Sequence, residues 1–455
     1  MGTTGWHVDA RKARGTMRLV DYITKIAPKA LLFEATRRGW IKPVNPLTLT
    51  FSVTAACQSR CKTCNIGSLY MANPSLAKQN LTLEEIEKIF KALGPIYFFN
   101  ISGGEPFMRP ELAEIIRLAC IHLQPRLIHI PTNAISPKFI DKTTRKILEY
   151  MELYAHPSTP ISIKPSIDGV GAMHDYVRGY PGNFKLLEKT IDVLLAIRKE
   201  NPRLHVDLGT VISNLNLHHL DEIEDWVHAR GIESYRHEVA EQRAEFHNLG
   251  DPITPPAEIY ASLTERFRNK ILRNIRGKAF LTRTTEAVRV VYYDIAVQIL
   301  QERRQVTPCY GGISNIHMNF NGEIWPCCVL GGDQPMGNVR EMDYDIPAVL
   351  RSTQAAGARK YIADGNCACP LANQWLNNVL LTPRHMLKVL YTLFFLFPRA
   401  PKEAELERER KTVRPEEVEV RIKGSAPRRA LVMTKLGTIP EAEEVDLPVM
   451  DDSKS

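Results

Sequence analysis

Three thiols stand close together near the N-terminal side of the chain, spaced Cys57-x3-Cys61-x2-Cys64. Thiolates are the natural ligands of iron–sulfur clusters, and three of them on a four-iron cluster leave one iron without a protein ligand. Such an iron can chelate a substrate or cofactor. A zinc site is the rival reading, but structural zinc wants four closed ligands, and no fourth Cys or His lies nearby. A second group follows at Cys309, Cys327, Cys328, Cys367 and Cys369, and Cys120 alone stands apart, on the apolar side of a helical pattern. No secretory signal peptide precedes these cysteines, so a reducing cytosol is the expected setting, where clustered cysteines bind metal more often than they form disulfides.

The elements that must position these residues show in the periodicity. β-type runs at Leu47–Val53, Tyr97–Ser102, Leu127–Pro131, Ile161–Ile167, His205–Ile212 and Ser234–Glu238 alternate with helical patterns. One of those helices begins at a capping box, Thr82 with Glu85, followed by an apolar face of Leu83, Ile86, Ile89, Phe90 and Leu93. The alternation predicts an α/β fold with a parallel sheet covered by helices. Six units are too few for an eight-stranded barrel, so a partial (β/α)6 barrel open on one side is expected. Chemistry in such folds sits at the C-terminal ends of strands. The first cysteine loop passes that test, as do Ser102-Gly103-Gly104-Glu105-Pro106 after the second strand, Thr132-Asn133 after the third and Ser166-Ile167-Asp168-Gly169 after the fourth. The glycines permit close backbone approach and Glu105 offers an acceptor for an ammonium group.

Taken together, these motifs resemble the radical S-adenosylmethionine superfamily over about Leu47 to Arg243. The resemblance implies that the open iron binds the amino and carboxylate groups of S-adenosylmethionine. An electron from the reduced cluster then splits a carbon–sulfur bond, giving methionine and a 5′-deoxyadenosyl radical that takes hydrogen from substrate. It also implies that Gly103, Gly104 and Glu105 orient the methionine amino group, with Asn133, Ser166, Asp168 and, near the carboxylate, Arg243 as further cofactor contacts. An external reductant such as ferredoxin or flavodoxin is implied as well. The run Asp168-Gly169, His174-Asp175, Arg178-Gly179 and Gly182-x-Phe184 resembles the branch with SPASM or twitch auxiliary domains; His174, Asp175 and Arg178 are expected to form a loop clamp.

Cys309-x12-Gly322-x4-Cys327 fits the opening of such a domain, with Ile316 to Trp325 read as a hairpin turning at Asn321-Gly322. Cysteines end at Cys369, too few for two more clusters, so a small C-terminal twitch/SPASM-like domain with one auxiliary four-iron cluster is expected. Its ligands would be Cys309, Cys327 and one or both of Cys367 and Cys369, with Cys328 left over. The expected organisation is therefore a basic amphipathic helix region at 1–46, the catalytic core at 47–250, a helical linker at 251–305, the auxiliary domain at 306–378, an apolar helix at 379–398 and a charged tail at 399–455. In that tail, Val418–Ile422 and Ala430–Met433 could pair as short strands.

The 455 residues are 44% hydrophobic and 24% charged, an ordinary globular composition, with a formal net charge of +8. Part of that charge lies at Arg11, Lys12, Arg14, Arg18, Lys25, Lys29, Arg37 and Arg38. No zinc finger or aromatic-plus-basic module accompanies it, so no nucleic-acid partner is expected. The apolar stretch Met386 to Phe397 is twelve residues, short of the roughly 20 that span a bilayer. It either packs on the barrel or lies in a membrane interface with Arg384, His385, Lys388 and Arg399 beside headgroups. Function is thus expected to be hydrogen abstraction from a peptide, sugar or lipid-type substrate in the cytoplasm, with peripheral membrane contact as a further expectation. The competing class is an iron–sulfur electron-transfer protein without radical chemistry, which would need no open iron.

Overall fold

A computed structural model describes residues 27–232, 234–275 and 280–396. The basic residues Arg11, Lys12, Arg14, Arg18 and Lys25, the residue Arg399 and the whole charged tail with its two expected short strands lie outside the described residues.

Six parallel strands appear where the alternation placed them: β1 (Thr48–Ser52), β2 (Phe98–Ser102), β3 (Leu127–Thr132), β4 (Ile161–Pro165), β5 (Leu204–Ile212) and β6 (Ser234–Val239). They stand side by side in sequence order. The fold is α/β with the expected partial barrel. One face of each strand is apolar and covered by helices. Leu49, Phe51, Phe99, Ile101, Ile128, Ile130, Ile161 and Ile163 are all fully buried there. Helix Leu83–Leu93 shows how this is built. Thr82 and Glu85 bond reciprocally as a capping box, and Phe90 then meets Phe51 and Phe99 edge-on, with ring centroids 6.3 and 5.6 Å apart.

The intervening residues face the barrel interior and form a polar row. Asn100 donates to Thr50 Oγ1 (3.2 Å), Ser162 donates to Asp207, and the Lys164 ammonium lies 3.3 Å from Glu238. Lying in one low-dielectric interior, these groups are paired with one another, as buried polar groups must be.

The sheet continues past β1, at the edge opposite β6. β7 (Asn315–Met318) pairs in parallel with β1, and β8 (Glu323–Trp325) and β9 (Gly337–Asn338) extend it antiparallel. The hairpin expected to open a separate auxiliary domain is therefore an extension of the barrel sheet, placing His317 opposite Thr50. Gly322 turns it at φ +89°, where a side chain would be strained and would crowd Asn338.

Two helical expectations change. Within the described part of the apolar helix expected at 379–398, the chain breaks at Thr382: Ala372–Leu381 ends before it, and Pro383–Phe394 begins a new helix. Pro383 has no N–H to continue the first helix and disfavours helical geometry at Thr382. Near the N-terminal end of the described chain, helix Ala27–Arg37 carries less free positive charge than composition suggested, because Arg37 and Arg38 both bond Glu34, at 2.8 and 2.6 Å.

Candidate functional site

All six parallel strands end on one rim, and the residues singled out above meet there. The cysteine loop leaves β1 and is held by its neighbours on several sides. Lys62 N–H donates to Val177 O, Asn65 N–H to Phe246 O, and Asn248 Nδ2 to Thr63 O, each within 2.9 Å. Backbone crowding sets the loop's path: a Cβ on Gly67 would lie 1.8 Å from Ser59 O, and one on Gly179 would lie 1.9 Å from Arg60 O. Burial pushes the Cys57 thiol up to about 12, with Cys61 next to it adding to the effect. Burial raises Cys61 and Cys64 as well, and Cys57 and Cys61 both act on Cys64. Three half-buried thiols that act on one another resist ionisation until a cation joins them, which is the behaviour of a metal-binding donor set. The residues fit the three-thiolate cluster that the spacing implies.

Gly103 and Gly104 let the second loop lie flat against the first. Gly104 N–H donates to Thr54 O (2.9 Å) and Glu105 N–H to Ala56 O (2.8 Å), and a Cβ on Gly104 would sit 2.2 Å from Ala56 O. Glu105 is buried, and burial pushes its carboxyl up to about 7. Its oxygens already accept from Thr132 Oγ1 (2.8 Å), Asn133 N–H (2.6 Å) and Phe107 N–H (3.1 Å). In this arrangement Glu105 first fastens the tips of β2 and β3 together. Asn133 reaches the other way, donating to Ser59 Oγ (3.0 Å) and Gln58 Oε1 (3.3 Å) in the cysteine loop. Ser166 stands half-buried at the tip of β4, bridged to Gly209.

Asp168 is buried and engaged on both sides. It pairs with Arg178 at 2.8 Å and accepts from Val211 N–H at 2.9 Å, so its carboxylate is committed within the protein. The expected clamp is visible around it: Asp168 N–H donates to His174 Nδ1 (3.2 Å), and Asp175 accepts from the N–H groups of Gly182 and Phe184 (both 2.7 Å). Arg178 does more than clamp, because its guanidinium also lies 3.9 Å from Cys61 Sγ. Arg243 is buried and pairs with Glu241 at 2.7 and 2.9 Å.

In the second group, Cys309, Cys327, Cys367 and Cys369 come together. Cys309 and Cys327 share one small core with Ile362, Leu330 and Cys367, and burial pushes the Cys327 thiol up to about 12, with Cys309 adding to it. Burial likewise raises Cys369, on which Cys327, Cys309 and Cys367 all act. Trp375 Nε1 anchors the 367–369 segment by donating to Cys369 O at 2.7 Å. Cys328, in the bend that follows β8, turns from Cys327 toward the barrel interior, where Arg243 Nη1 is 3.9 Å from its sulfur.

Cys328 also lies beside Glu245 and His317, a grouping that reasoning from spacing did not find. One signal was available, since Ile316 and Met318 flank His317 in a strand and alternation turns the residue between two core positions inward.

Residues 51–227 match the sequence profile described as the Radical SAM superfamily. Among curated proteins, the chain is similar to the antilisterial bacteriocin subtilosin biosynthesis protein AlbA of Bacillus subtilis, 22% identical over 321 residues covering 69% of this chain and 63% of that one. It is also similar to the mycofactocin maturase MftC of Mycolicibacterium smegmatis, 26% identical and covering 44% of this chain and 45% of that one. The AdoMet-dependent heme synthase of Methanosarcina barkeri is 22% identical, with 66% of this chain and 81% of that one covered. The match thus spans less than two thirds of the length of the first two of these relatives.

Proposed function

We propose that this chain, whose residues 51–227 match the Radical SAM superfamily profile, is an enzyme that uses S-adenosylmethionine to abstract hydrogen from a peptide substrate. The observation that carries the reading is the three-thiol loop of Cys57, Cys61 and Cys64, pinned over the same barrel rim as Gly103, Gly104 and Glu105. When bound there, a four-iron cluster with one open iron supplies the electron that splits a carbon–sulfur bond of S-adenosylmethionine.

The protein's own residues prepare that site. Cys57, Cys61 and Cys64 hold the cluster, and Arg178, 3.9 Å from Cys61 Sγ, places a positive charge beside it and favours its reduced state. Gly103 and Gly104 keep the second loop thin enough for the cofactor's methionine end, while Glu105 holds the β2 and β3 tips in register. Asn133 couples that register to the cysteine loop, and Ser166 offers a hydroxyl at the β4 tip. Cys309, Cys327, Cys367 and Cys369 would ligate the auxiliary cluster completely, which makes it an electron conduit in preference to a substrate-binding iron. A ferredoxin- or flavodoxin-type reductant supplies the electrons. The ion pairs and hydrogen-bonding groups that line the interior disfavour a lipid, and a peptide is favoured over a sugar because AlbA and MftC are by name a bacteriocin biosynthesis protein and a maturase. Comparing peptide and metabolite profiles of a deletion strain with its parent tests the substrate class: accumulation of an unmodified sugar or lipid precursor, with peptides unchanged, would overturn it.

Glu105→Ala should lower the melting temperature and weaken S-adenosylmethionine binding while leaving iron content unchanged. The substitution strands two backbone N–H groups and a hydroxyl in a buried place, at a cost of about 1–3 kcal/mol for each left unpaired. Differential scanning calorimetry and titration calorimetry read the two effects. An unchanged melting temperature would show that Glu105 does not fasten the strand tips.

Among the described residues no helix is long and apolar enough to cross a membrane. Helix Pro383–Phe394 nevertheless leaves Leu387, Leu390, Tyr391, Phe394 and the following Phe395 exposed at helical spacing, beside exposed Arg384 and Lys388. This stripe suits peripheral contact with an anionic bilayer. The protein should sediment with phosphatidylglycerol-containing vesicles, and Leu387→Glu with Phe395→Glu should release it; equal sedimentation of both forms would remove the membrane from this reading.

A further inference from the structure

Inside the barrel, between the two cysteine groups, Glu245, His317 and Cys328 each present one donor atom, and all three atoms lie within 4.8 Å of one another. They come from three separate places: the loop after β6, strand β7 and the residue just past Cys327. Convergence of this kind is not a by-product of local sequence. The residue types are those of a zinc site with three protein ligands and an open position.

We propose that Glu245, His317 and Cys328 form a third metal site, which binds a divalent thiophilic cation of the zinc type separately from both iron–sulfur clusters. The spacing suits it. Bonds of about 2.0–2.3 Å at tetrahedral angles put neighbouring ligand atoms roughly 3.3–3.8 Å apart, and His317 Nε2 is 3.7 Å from a Glu245 oxygen. In the metal-free protein that nitrogen bonds Ser52 Oγ at 2.8 Å, a hydrogen bond that a cation taking its lone pair would displace. The other ring nitrogen, Nδ1, is buried without a hydrogen-bond partner.

Cys328 is the one thiol of the second group that turns from the other four, so the cation does not compete with the auxiliary cluster for it. A cation held by these three residues would keep a position open to accept an oxygen or thiolate of the substrate and polarise it.

The site goes beyond the radical reading and does not depend on it. Its test uses the protein with both clusters reconstituted, so that the other thiols are occupied, equilibrated with zinc chloride alone and desalted. Zinc and iron are counted by mass spectrometry, and absorption at the zinc edge, which iron does not obscure, reads the ligands. One zinc per chain is expected, with one sulfur neighbour at about 2.3 Å and nitrogen or oxygen at about 2.0 Å. Cys328→Ser should remove the sulfur neighbour and weaken zinc binding at least about tenfold, since loss of a mere outer-shell partner already costs that much. Glu245→Gln should weaken binding with the sulfur neighbour retained. Iron content should stay constant in both variants, which also shows that they fold. No retained zinc, two or more sulfur neighbours, or a drop in iron in Cys328→Ser would each overturn the proposal. Iron and sulfide counts judge the clusters and the zinc edge judges this site, so either can fail without the other.

Discussion

Reconstituted protein, given a strong reductant and S-adenosylmethionine without oxygen, is expected to release 5′-deoxyadenosine and methionine, and Cys61→Ala is expected to reduce that release to background. The electron needs only the cluster and the bound cofactor, so some cleavage should proceed without the true substrate. Cys61 is the sharpest single test because its sulfur lies 3.9 Å from the Arg178 guanidinium. Removing it takes away one ligand of three and leaves Arg178 without that partner. Liquid chromatography of the quenched reaction measures the product. If fully loaded protein made no more 5′-deoxyadenosine than the variant, the enzyme reading would give way to an iron–sulfur electron carrier, for which an open iron serves no purpose.

The second large effect concerns metal content. Reconstitution should yield roughly eight irons and eight sulfides per chain, as two four-iron clusters. Changing Cys57, Cys61 and Cys64 together to Ala should leave roughly four, and so should changing Cys367 and Cys369, while Cys328→Ala should leave the full number. The asymmetry between Cys327 and Cys328, adjacent in sequence, is the demanding part. It follows from their opposite directions, one toward Cys309 and the other toward Arg243 and Glu245. An equal loss of iron from Cys327→Ala and Cys328→Ala would refute that division. Mössbauer spectra on iron-57 protein would separate the two clusters where bulk analysis only counts them.

Much of the barrel was legible before any coordinates. The six strands were marked by short β-type runs bounded by helical patterns, and the Thr82–Glu85 box located a helix start to the residue. Local signals suffice for such elements because their hydrogen bonds and apolar faces repeat within a few residues. Helix Pro383–Phe394 shows the limit. Hydropathy alone ran the segments on either side of Thr382 together, while Pro383, a local signal, separates them.

The site divides in the same manner. By itself, the amino-acid sequence determined the parallel α/β class, the three-thiol loop after the first strand and the Gly103-Gly104-Glu105 turn, because each depends on residue type at short fixed spacing. Tertiary structure alone decided that Glu105 and Asp168 are engaged by neighbouring strands and Arg178, that Arg178 reaches Cys61, and that β7 joins β1 rather than starting a sheet of its own. It also decided that Cys328 meets Glu245 and His317. These are contacts between residues tens to hundreds of positions apart, set by the parallel register of the strands and the pointing of consecutive side chains to opposite faces, and no local pattern encodes them.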